Sequence, residues 1–267
     1  MITDLTETTL IAAIEENLFS FLPLFDLWPE AEVHDTPELL WFLTEIPFPL
    51  FNSLFRTKLS PDDVDSAIDA AISRCKTNHV PMMWWTGPSA QPTDLGSKLI
   101  DRDFQQSDSP GMAADLNVLP ENPEYPEDLV IKLVDNDEDL EIWCRVFSEA
   151  FGMPDFVGTA FFNFTRSLGY KTQRPYTCYL GSINNEAVAV SSLLLGAGVA
   201  GIYNVATLES ARRKGIGAAM TIKPLLDARS QGYRVGILHS SEMGYKMYSS
   251  LGFQEYCKIF QYIWFDN

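Results

Sequence analysis

The sequence predicts an α/β (α+β) fold, arranged as two tandem modules. Apolar residues alternate along the chain between the spacing of a helical face and short runs rich in β-branched and aromatic residues. A length of 267 residues suits two domains of about 130. The acidic, proline-rich stretch PENPEYPED resists regular structure. We therefore predict an N-terminal domain at 1–119, a linker at 120–128 and a C-terminal domain at 129–267.

In the N-terminal half, residues 6–22 repeat apolar positions at helical spacing until Pro23, and Ser60 and Pro61 open a second helix. A third helix is predicted near 92–102. The predicted strands of this half lie near 38–43, 50–57, 80–86 and 111–117.

In the C-terminal half, a strand at 129–134 precedes a helix at 135–151, and a second helix follows Pro154. Asn184-Asn185 tolerates positive φ, which indicates a tight hairpin between two strands. The remaining predicted elements are strands at 176–183, 186–195, 201–208, 235–240 and 254–265, a helix after the glycines near 215, and a helix at 243–251.

Composition excludes several classes of function. The formal net charge of -17 and the pI near 4.4 would repel nucleic acid and anionic membranes, so we expect neither as a partner. Four cysteines lie far apart with no C-x-x-C pair, which favours reduced thiols over disulfides or a zinc site. Glu15 and Glu16 interrupt the only early apolar segment, and no basic region precedes it. We therefore expect no signal peptide and no membrane helix, and a cytoplasmic location.

No metal site is predicted. Asp135, Asp137 and Asp139 resemble the start of a calcium-binding loop, but Leu140 stands where the loop needs glycine and Val146 where it needs a bidentate glutamate. These acids are typical of a solvated helix N-terminus.

Two further motifs do not fit their context. GAGVAG at 196–201 matches G-x-G-x-x-G, yet a β-branched strand follows it where a dinucleotide site needs a helix, so we predict a glycine-rich hairpin. His239 beside Ser240 and Ser241 resembles part of a hydrolase site. Neighbours on a strand point to opposite faces and no acid is spaced to orient the imidazole, so a serine triad has little support.

The loop R-R-K-G-I-G after the strand ending at Leu208 predicts an anion site. Gly215 and Gly217 free the backbone amides to turn toward one point at a helix N-terminus, where the helix dipole is positive. Window 211–234 carries six cations and one acid, which leaves -22 on the rest of the chain. A diphosphate suits this local charge, while the loop alone is also compatible with a plain helix start bearing solvated cations.

The order of two motifs resembles the acetyl-CoA-binding core of the GCN5-related N-acetyltransferases (GNAT). R-x-x-G-x-G begins at Arg212, and after a further strand Y-x-x-L-G-F begins at Tyr248. The resemblance covers residues 129–267 in element order. It implies the GNAT fold, which is a mixed, mostly antiparallel sheet flanked by helices, and acetyl-CoA as cofactor. Its implied cofactor-binding residues are Val205, Ala206 and Thr207 for the pantetheine, and Arg212, Arg213, Lys214, Gly215, Ile216, Gly217 and Ala218 for the pyrophosphate.

In that family the tyrosine commonly protonates the departing thiolate, which assigns Tyr248 as the catalytic residue. The chemistry agrees, because a phenol with an ordinary pKa of about 10 stays protonated at neutral pH and can donate to sulfur. A backbone amide near Val205 could donate to the developing oxyanion. The alternative is that Tyr248 merely packs on the cofactor.

Two positions depart from the family pattern or from regular structure. Many members carry asparagine seven residues before the tyrosine, whereas Ser241 stands there, so Ser241 is a shorter-reaching cofactor contact. Pro224 lies inside the predicted cofactor helix, where it removes one amide and should bend the helix near Met220.

The N-terminal half resembles a degenerate second copy. Its segment 80–105 parallels 235–254 as strand, loop, short helix and a final D-F-Q or G-F-Q. No glycine occurs between residues 51 and 86, acids crowd the helix entrance, and Leu99 aligns with Tyr248. We expect this half to shape or cover the acceptor site; an unrelated N-terminal domain is the other possibility.

These features predict an acetyl-CoA-dependent N-acetyltransferase that acts on a primary amine of a small molecule by direct attack in a ternary complex. The alternative is a non-catalytic acyl-CoA-binding or regulatory protein. Loop 152–157 and the nearby aromatics are the expected acceptor-binding residues, and either a monomer or a homodimer is compatible with the sequence. Residues considered for accessory roles are Phe151, Phe156, Phe161 and Phe162 at the acceptor, Trp84 and Trp85 as pocket or core, and Glu186 or Glu242 as a base, with solvent as the other proton acceptor.

Overall fold

The structure is a computed structural model that describes residues 1–120, 123–170 and 175–266. The chain forms two compact units: a larger unit of residues 1–18 and 111–256, and a smaller unit of residues 19–110 and 257–267. This grouping differs from the division predicted at 120–128, because the first helix belongs to the larger unit and the last strand ends in the smaller one. Part of the predicted linker, residues 121 and 122, lies outside the described residues. The division into two tandem modules along the sequence stays a prediction.

Eight helices and eleven strands make up the regular structure of the described chain. The helices are α1 (Glu7–Phe19), α2 (Leu22–Phe25), α3 (Val64–Asn78), α4 (Leu95–Ile100), α5 (Asp137–Phe151), α6 (Asp155–Ser167), α7 (Ile216–Ser230) and α8 (Tyr245–Ser250). The strands are β1 (Glu32–Asp35), β2 (Leu39–Leu43), β3 (Ser53–Thr57), β4 (Met82–Thr86), β5 (Gln105–Asp115), β6 (Leu129–Leu133), β7 (Tyr176–Ile183), β8 (Glu186–Gly196), β9 (Val199–Thr207), β10 (Val235–His239) and β11 (Gln254–Trp264). Short 3-10 turns lie at Pro49–Phe51, Leu116–Val118 and Glu209–Ala211.

The sheet of the larger unit has the order β5–β10–β9–β8–β7–β6. All neighbours in it are antiparallel except β9 and β10, which are parallel. Their pairing runs only from Ala200–Gly236 to Ile202–Leu238. Beyond these residues the carboxyl ends of the two strands are unpaired with each other, and such a separation leaves backbone groups available to a ligand.

Helices cover both faces of this sheet. On one face, Ile202 and Leu238 pack against Leu225 of α7 in the main apolar cluster of the unit. On the other face, α5 places the Trp143 indole against the Ser191 carbonyl at 3.2 Å. Burial of these apolar side chains is the main stabilising contribution of the unit.

The first helix also packs on the second face, through a buried side chain. The Asn17 amide donates to the carbonyls of Leu194 and Gly196 at 3.2 and 3.0 Å, and its Oδ1 accepts from the Tyr203 hydroxyl at 2.8 Å. A Cβ at Gly201 would lie 2.0 Å from Asn17 Oδ1. Glycine at 201 is therefore required for α1 to approach the sheet.

Pro224 lies inside α7, as predicted, and its missing amide has a local compensation. The carbonyl that a residue at 224 would bond in a regular helix is that of Met220. The Ser191 hydroxyl of β8 donates to this carbonyl at 2.8 Å. The sheet therefore supplies the hydrogen bond that the proline removes.

The smaller unit is built on strands in the order β1–β2–β3–β4–β11, with β3 and β4 parallel and the other pairs antiparallel. Its core includes Trp84, Tyr262 and Trp264. Trp85 stacks on Phe55 with ring centroids 6.2 Å apart, so both tryptophans of the predicted pair contribute to packing.

A repeated backbone detail accompanies the parallel in sequence between the two halves. The amide of Phe104 donates to the Leu99 carbonyl at 3.2 Å, and the amide of Phe253 donates to the Tyr248 carbonyl at 3.1 Å. The preceding residues, Asp103 and Gly252, both have positive φ. The alignment of Leu99 with Tyr248 therefore corresponds to equivalent backbone positions.

The predicted strands and helices are mostly confirmed, with differences near the N-terminus. β5 begins at Gln105 and not near 111, because its first residues are polar and exposed and carry no apolar signal. β1 is short and mostly exposed, and the sequence did not predict it. Among the described residues, one helical stretch, Glu7–Phe25, is long and apolar enough to span a membrane by length and composition alone, and half of it is buried in the protein. Core helices of soluble proteins pass the same test.

Candidate active site

One cavity of the larger unit, about 720 Å³ in volume, brings together nearly all of the predicted site residues. It lies at the ends of β9 and β10 and at the N-terminus of α7. Of the predicted residues, its lining includes Val205, Ala206, Thr207, Arg212, Arg213, Gly215, Ile216, Gly217, Ala218, Ser241 and Tyr248. Lys214 is exposed and is not part of the lining.

The glycine loop leads into the start of α7, and most of its residues lie on the cavity lining. Gly215 is the N-cap residue and has a φ of 79°, a left-handed conformation that favours glycine. Gly217 lies close to α8, since a Cβ there would be 3.2 Å from the Met247 sulfur. The first turn of α7 carries no acidic side chain, so its positive end is uncompensated by the helix itself.

Arg212 binds backbone carbonyls of the same unit. Its Nε donates to the Thr207 carbonyl at 3.0 Å and its Nη2 to the Ala150 carbonyl at 3.3 Å. The side chain therefore ties the loop to the end of β9 and to the end of α5. Arg213 is exposed on the lining with a φ of 62°, and it is the less constrained of the two charges.

β9 is irregular where it enters the cavity. Its pairing with β8 shifts between Tyr203–Ser192 and Ala206–Val190, which places two residues of β9 opposite one of β8. This is a β-bulge, and Asn204 within it has a φ of 55°. Val205, Ala206 and Thr207 line the cavity, on the stretch of β9 that is no longer paired with β10.

Tyr248 lies on α8, is buried, and forms part of the cavity lining. Burial raises the pKa of Tyr248 to about 12, and a hydrogen bond with the Thr221 side chain opposes part of that shift. Its ring packs edge-on against Phe253, with centroids 6.1 Å apart. The phenol is therefore held in place and protonated at neutral pH, as a proton donor requires.

The remaining candidates around β10 have local structural roles. The Ser241 hydroxyl accepts from the Gly244 amide at 3.2 Å at the entrance to α8, while the residue stays exposed on the cavity wall. Ser240 Oγ donates to the Ser241 carbonyl at 2.8 Å. Burial lowers the pKa of His239 to about 4, a backbone hydrogen bond with Ile14 opposes this shift, and its ring lies edge-on to Tyr203. This arrangement is not a serine triad.

The turn in GAGVAG has the predicted form, and at the acidic helix start Asp135 and Asp137 are exposed as predicted, whereas Asp139 is buried and pairs with Lys132. Ala197 and Gly198 both have positive φ between β8 and β9, so the segment is a hairpin. Asn136 caps α5 by accepting from the Asp139 amide at 2.9 Å. Among the residues that the structure describes, no group of three or more His, Cys, Asp or Glu side chains is placed to hold a metal, and the four cysteines are free thiols.

The expected acceptor-binding aromatics divide between cavity, surface and core. Phe151 lines the cavity with 48% of its surface exposed, and Phe156 is also exposed. Phe161 is buried, and Phe162 lines a separate groove between α5 and α6. Glu186 and Glu242 are exposed, and neither belongs to the cavity lining.

Several lining residues were not predicted. These are Ala150, Glu209, Ala211, Met243, Gly244 and Met247. Met243 is 78% exposed and stands shortly after the predicted strand end, a position that the motif spacing could have indicated. Ala150 carries no sequence signal, because its place depends on where the end of α5 packs.

Comparison with known proteins identifies the fold. No protein-family model matches the chain, and no curated protein matches its sequence. Among solved structures, a GCN5-related N-acetyltransferase from Kribbella flavida is similar with a TM-score of 0.70 and 17% identity, over 92% of this chain and 94% of that one. A GCN5-related N-acetyltransferase from Sphaerobacter thermophilus is similar with a TM-score of 0.60 and 16% identity, over 85% of this chain and 80% of that one.

A tandem GNAT protein from the clavulanic acid biosynthesis pathway is similar over 98% of this chain and 95% of its own length, with a TM-score of 0.59 and 12% identity. The chain therefore has the fold of these proteins, a mixed, mostly antiparallel sheet flanked by helices. At such sequence identities, the similarity shows a shared fold and does not show a shared activity.

Proposed function

We propose that this chain belongs to the GCN5-related N-acetyltransferases and transfers an acetyl group from acetyl-CoA to a primary amine of a small molecule, by direct attack in a ternary complex. One observation carries the proposal. A single cavity joins the glycine loop at the start of α7, the irregular end of β9 and the buried phenol of Tyr248, which come from separate parts of the sequence. The two sequence motifs predicted this combination of an anion site, a free strand edge and an acid.

The described residues fit acetyl-CoA. Amides at Gly215 to Ala218 and the charge of Arg213 would hold the pyrophosphate, because a helix N-terminus with left-handed glycine presents donors and a positive dipole. The backbone of Val205 to Thr207 would pair with pantetheine as an added strand, since β9 has left β10 there. When bound, acetyl-CoA supplies an activated acetyl thioester.

In the proposed reaction the bond between the amine nitrogen and the acetyl carbon forms and the carbon–sulfur bond breaks. Tyr248 donates its proton to the departing sulfur and is reprotonated from solvent. The amine proton passes to solvent, since Glu186 and Glu242 lie outside the cavity lining and Glu209, which is on it, is exposed to solvent. Arg212, bonded to carbonyls of Thr207 and Ala150, would keep the loop and the strand end at a constant separation while these transfers occur.

The experiment is a panel of primary amines with acetyl-CoA, monitored by release of free CoA thiol, beside calorimetric titration of acetyl-CoA. We expect binding, and thiol release with at least one amine. R213E should weaken acetyl-CoA binding, because it reverses a charge on the cavity wall, and K246E is the matched control, since Lys246 is exposed outside the lining. Equal losses in the two variants would contradict the phosphate site.

The same amine panel distinguishes the proposed enzyme from the alternative. Tight acetyl-CoA binding without thiol release for any amine would support a non-catalytic acyl-CoA-binding or regulatory protein.

Location in the cytoplasm, where thiols stay reduced, is part of the proposal and is supported by the four free cysteines. A monomer and a homodimer both remain compatible with it.

A further inference from the structure

Asn204 is held in an unusual backbone conformation at the edge of the cavity. Its φ of 55° lies in the left-handed region, in the middle of β9. Few residues other than glycine adopt this conformation, and asparagine is among the most tolerant of it. The neighbouring residues of the strand are ordinary strand formers, so position 204 interrupts β9 locally.

The interruption changes the direction of the strand edge. Asn204 and Val205 lie together opposite the single residue Ser191 of β8, between the pairs Tyr203–Ser192 and Ala206–Val190. A bulge of this kind leaves its extra residue outside the regular ladder and re-aims the residues after it. Val205 is the first residue of β9 on the cavity lining.

The side chain of Asn204 is anchored at two points. Its Nδ2 donates to the Tyr176 hydroxyl at 3.1 Å and to the Ser192 hydroxyl at 3.0 Å. Both acceptors are buried, on β7 and β8. Ser192 in turn donates to the Tyr203 carbonyl at 3.3 Å, the residue just before the bulge. Both amide hydrogens of Asn204 are therefore used to hold the bulge against the neighbouring strands.

We propose that Asn204 is a positioning residue for acetyl transfer: its doubly anchored side chain fixes the bulge so that the backbone amide of Val205 faces the carbonyl oxygen that gains negative charge in the transition state. The inference rests on the function proposed above and adds a specific device to it. Burial raises the pKa of Tyr176, so the hydroxyl that accepts from Asn204 stays neutral across the working pH range.

The expected effect is on the chemical step more than on binding. Loss of one oxyanion donor costs about 10²- to 10³-fold in kcat, and a displacement of about 1 Å costs on the order of 10²-fold. We therefore expect N204G, which accepts positive φ but removes both anchors, to lose about 10²-fold in kcat. Its dissociation constant for acetyl-CoA should change far less, because the loop at Gly215 is untouched.

The structure offers a matched control. Asn185 has a φ of 66° in the exposed hairpin between β7 and β8, so N185G makes the same chemical change in the same backbone conformation. Y176F and S192A each remove one anchor and should lose kcat to a smaller extent than N204G. The measurements are kcat, KM for both substrates, acetyl-CoA affinity by calorimetry, and the melting temperature.

Equal kcat in N204G and N185G would overturn the inference while leaving the proposed function in place. A loss in N204G that acetyl-CoA affinity follows to the same degree would also overturn it, since it would indicate general loss of the site. If N204G does not fold, Y176F and S192A decide by the same split between kcat and affinity. Wild-type protein that binds acetyl-CoA and acetylates no amine would remove the proposed function, and with it this role.

Discussion

Removing the phenol of Tyr248 is the most direct test of the proposed chemistry. In Y248F the ring and its contact with Phe253 remain, and only the hydroxyl and its hydrogen bond with Thr221 are lost. Without a proton donor the sulfur must leave as a thiolate, so kcat should fall. Acetyl-CoA affinity should change little, because the glycine loop and the β9 edge are unaffected.

The structure sets the size of the effect. General acid catalysis contributes about 10²- to 10⁴-fold, and it is most effective when the pKa of the acid lies near the working pH. Burial raises the pKa of Tyr248 to about 12, which keeps the proton in place but makes its donation to sulfur less favourable. We therefore expect a loss near 10²-fold, or about 2.7 kcal/mol of activation free energy.

The stability cost of the same change should be small. The lost hydrogen bond contributes about 1 kcal/mol, and Thr221 retains its bond to the Gly217 carbonyl at 2.9 Å. The melting temperature should therefore fall by only about 2–4 °C. Y245F on the same helix is the control, because Tyr245 lies outside the cavity lining.

The assay is thiol release across pH 6 to 10 with saturating amine and acetyl-CoA. In wild type, Tyr248 should cause no loss of kcat in this range, since its pKa lies above it. Activity of Y248F within about threefold of Y245F would refute the role as acid, because even weak general acid catalysis exceeds that ratio. The tyrosine would then be a packing residue.

Three further predictions concern stability. S191A leaves the Met220 carbonyl in α7 without its sheet donor, so the free energy of unfolding in urea should fall by about 1–3 kcal/mol; a fall below about 0.5 would contradict that compensation. The pKa of His239 is about 4 in the folded protein against an ordinary 6.5, so as pH falls the unfolded chain takes up the proton before the folded one. The free energy of unfolding should therefore fall between pH 6.5 and 4, and this loss should be about 3 kcal/mol smaller in H239N. Equal pH dependence in the two proteins would count against the pKa shift. G201A drives a methyl group into Asn17 and should cost about 1–3 kcal/mol or more, measured as a shift in the urea midpoint, and an unchanged midpoint would show that α1 is not closely packed there.

The local parts of the site could be predicted from the sequence because their causes are local. A glycine that must adopt positive φ at a helix start, and cations beside it, are visible in R-R-K-G-I-G, and the structure has Gly215 in that conformation. The hairpin at Ala197-Gly198 is predicted in the same way from turn chemistry. Motif order then placed Tyr248 on the helix after β10, where the structure has it.

Features that depend on contacts distant in sequence could not be predicted. The polar start of β5 gives no strand signal, because its pairing is decided by distant partners. Asn17 lies in a helix that reads as part of the N-terminal half, yet its amide bonds are to β8 and its Oδ1 accepts from Tyr203. Asn204 does stand out as asparagine within a β-branched run, but its two anchors on β7 and β8 depend on register, which a single sequence does not reveal.

The role of Arg212 shows how a motif residue can be identified while its contacts are not. Spacing in R-x-x-G-x-G indicated a charge for the pyrophosphate, whereas the side chain donates to the Thr207 and Ala150 carbonyls. Hydrogen bonds from a charged group to carbonyls are stronger than neutral ones, so the arginine stabilises the loop geometry directly. The charge of Arg212 still adds to the electrostatic field at the cavity wall. Because replacing Arg212 would change both that charge and the loop geometry, R213E is the cleaner test of phosphate binding.

A comparison of the two units distinguishes the features that come from the fold from those that the candidate site requires. Both contain a parallel strand pair joined by a helix, β3–α3–β4 in one and β9–α7–β10 in the other. At the start of α3, Ser60 bonds Asp63, and Asp65 pairs with Lys98 and Arg102. Those carboxylates place negative charge at the start of α3, although Asp63 makes no capping hydrogen bond there, and they would repel a diphosphate.

In the larger unit the same order of strand, helix and strand has a left-handed glycine at the start of α7, cations beside it and no acid in the first turn of the helix. Under the proposed function, the architecture alone is therefore insufficient to make an anion site, and the loop chemistry decides it. Transplanting acids to the start of α7, as in a G217D and A218D double variant, should abolish acetyl-CoA binding while α7 still forms, because acids at a helix N-terminus stabilise the helix itself. Retained binding in a folded double variant would show that the cofactor is held elsewhere.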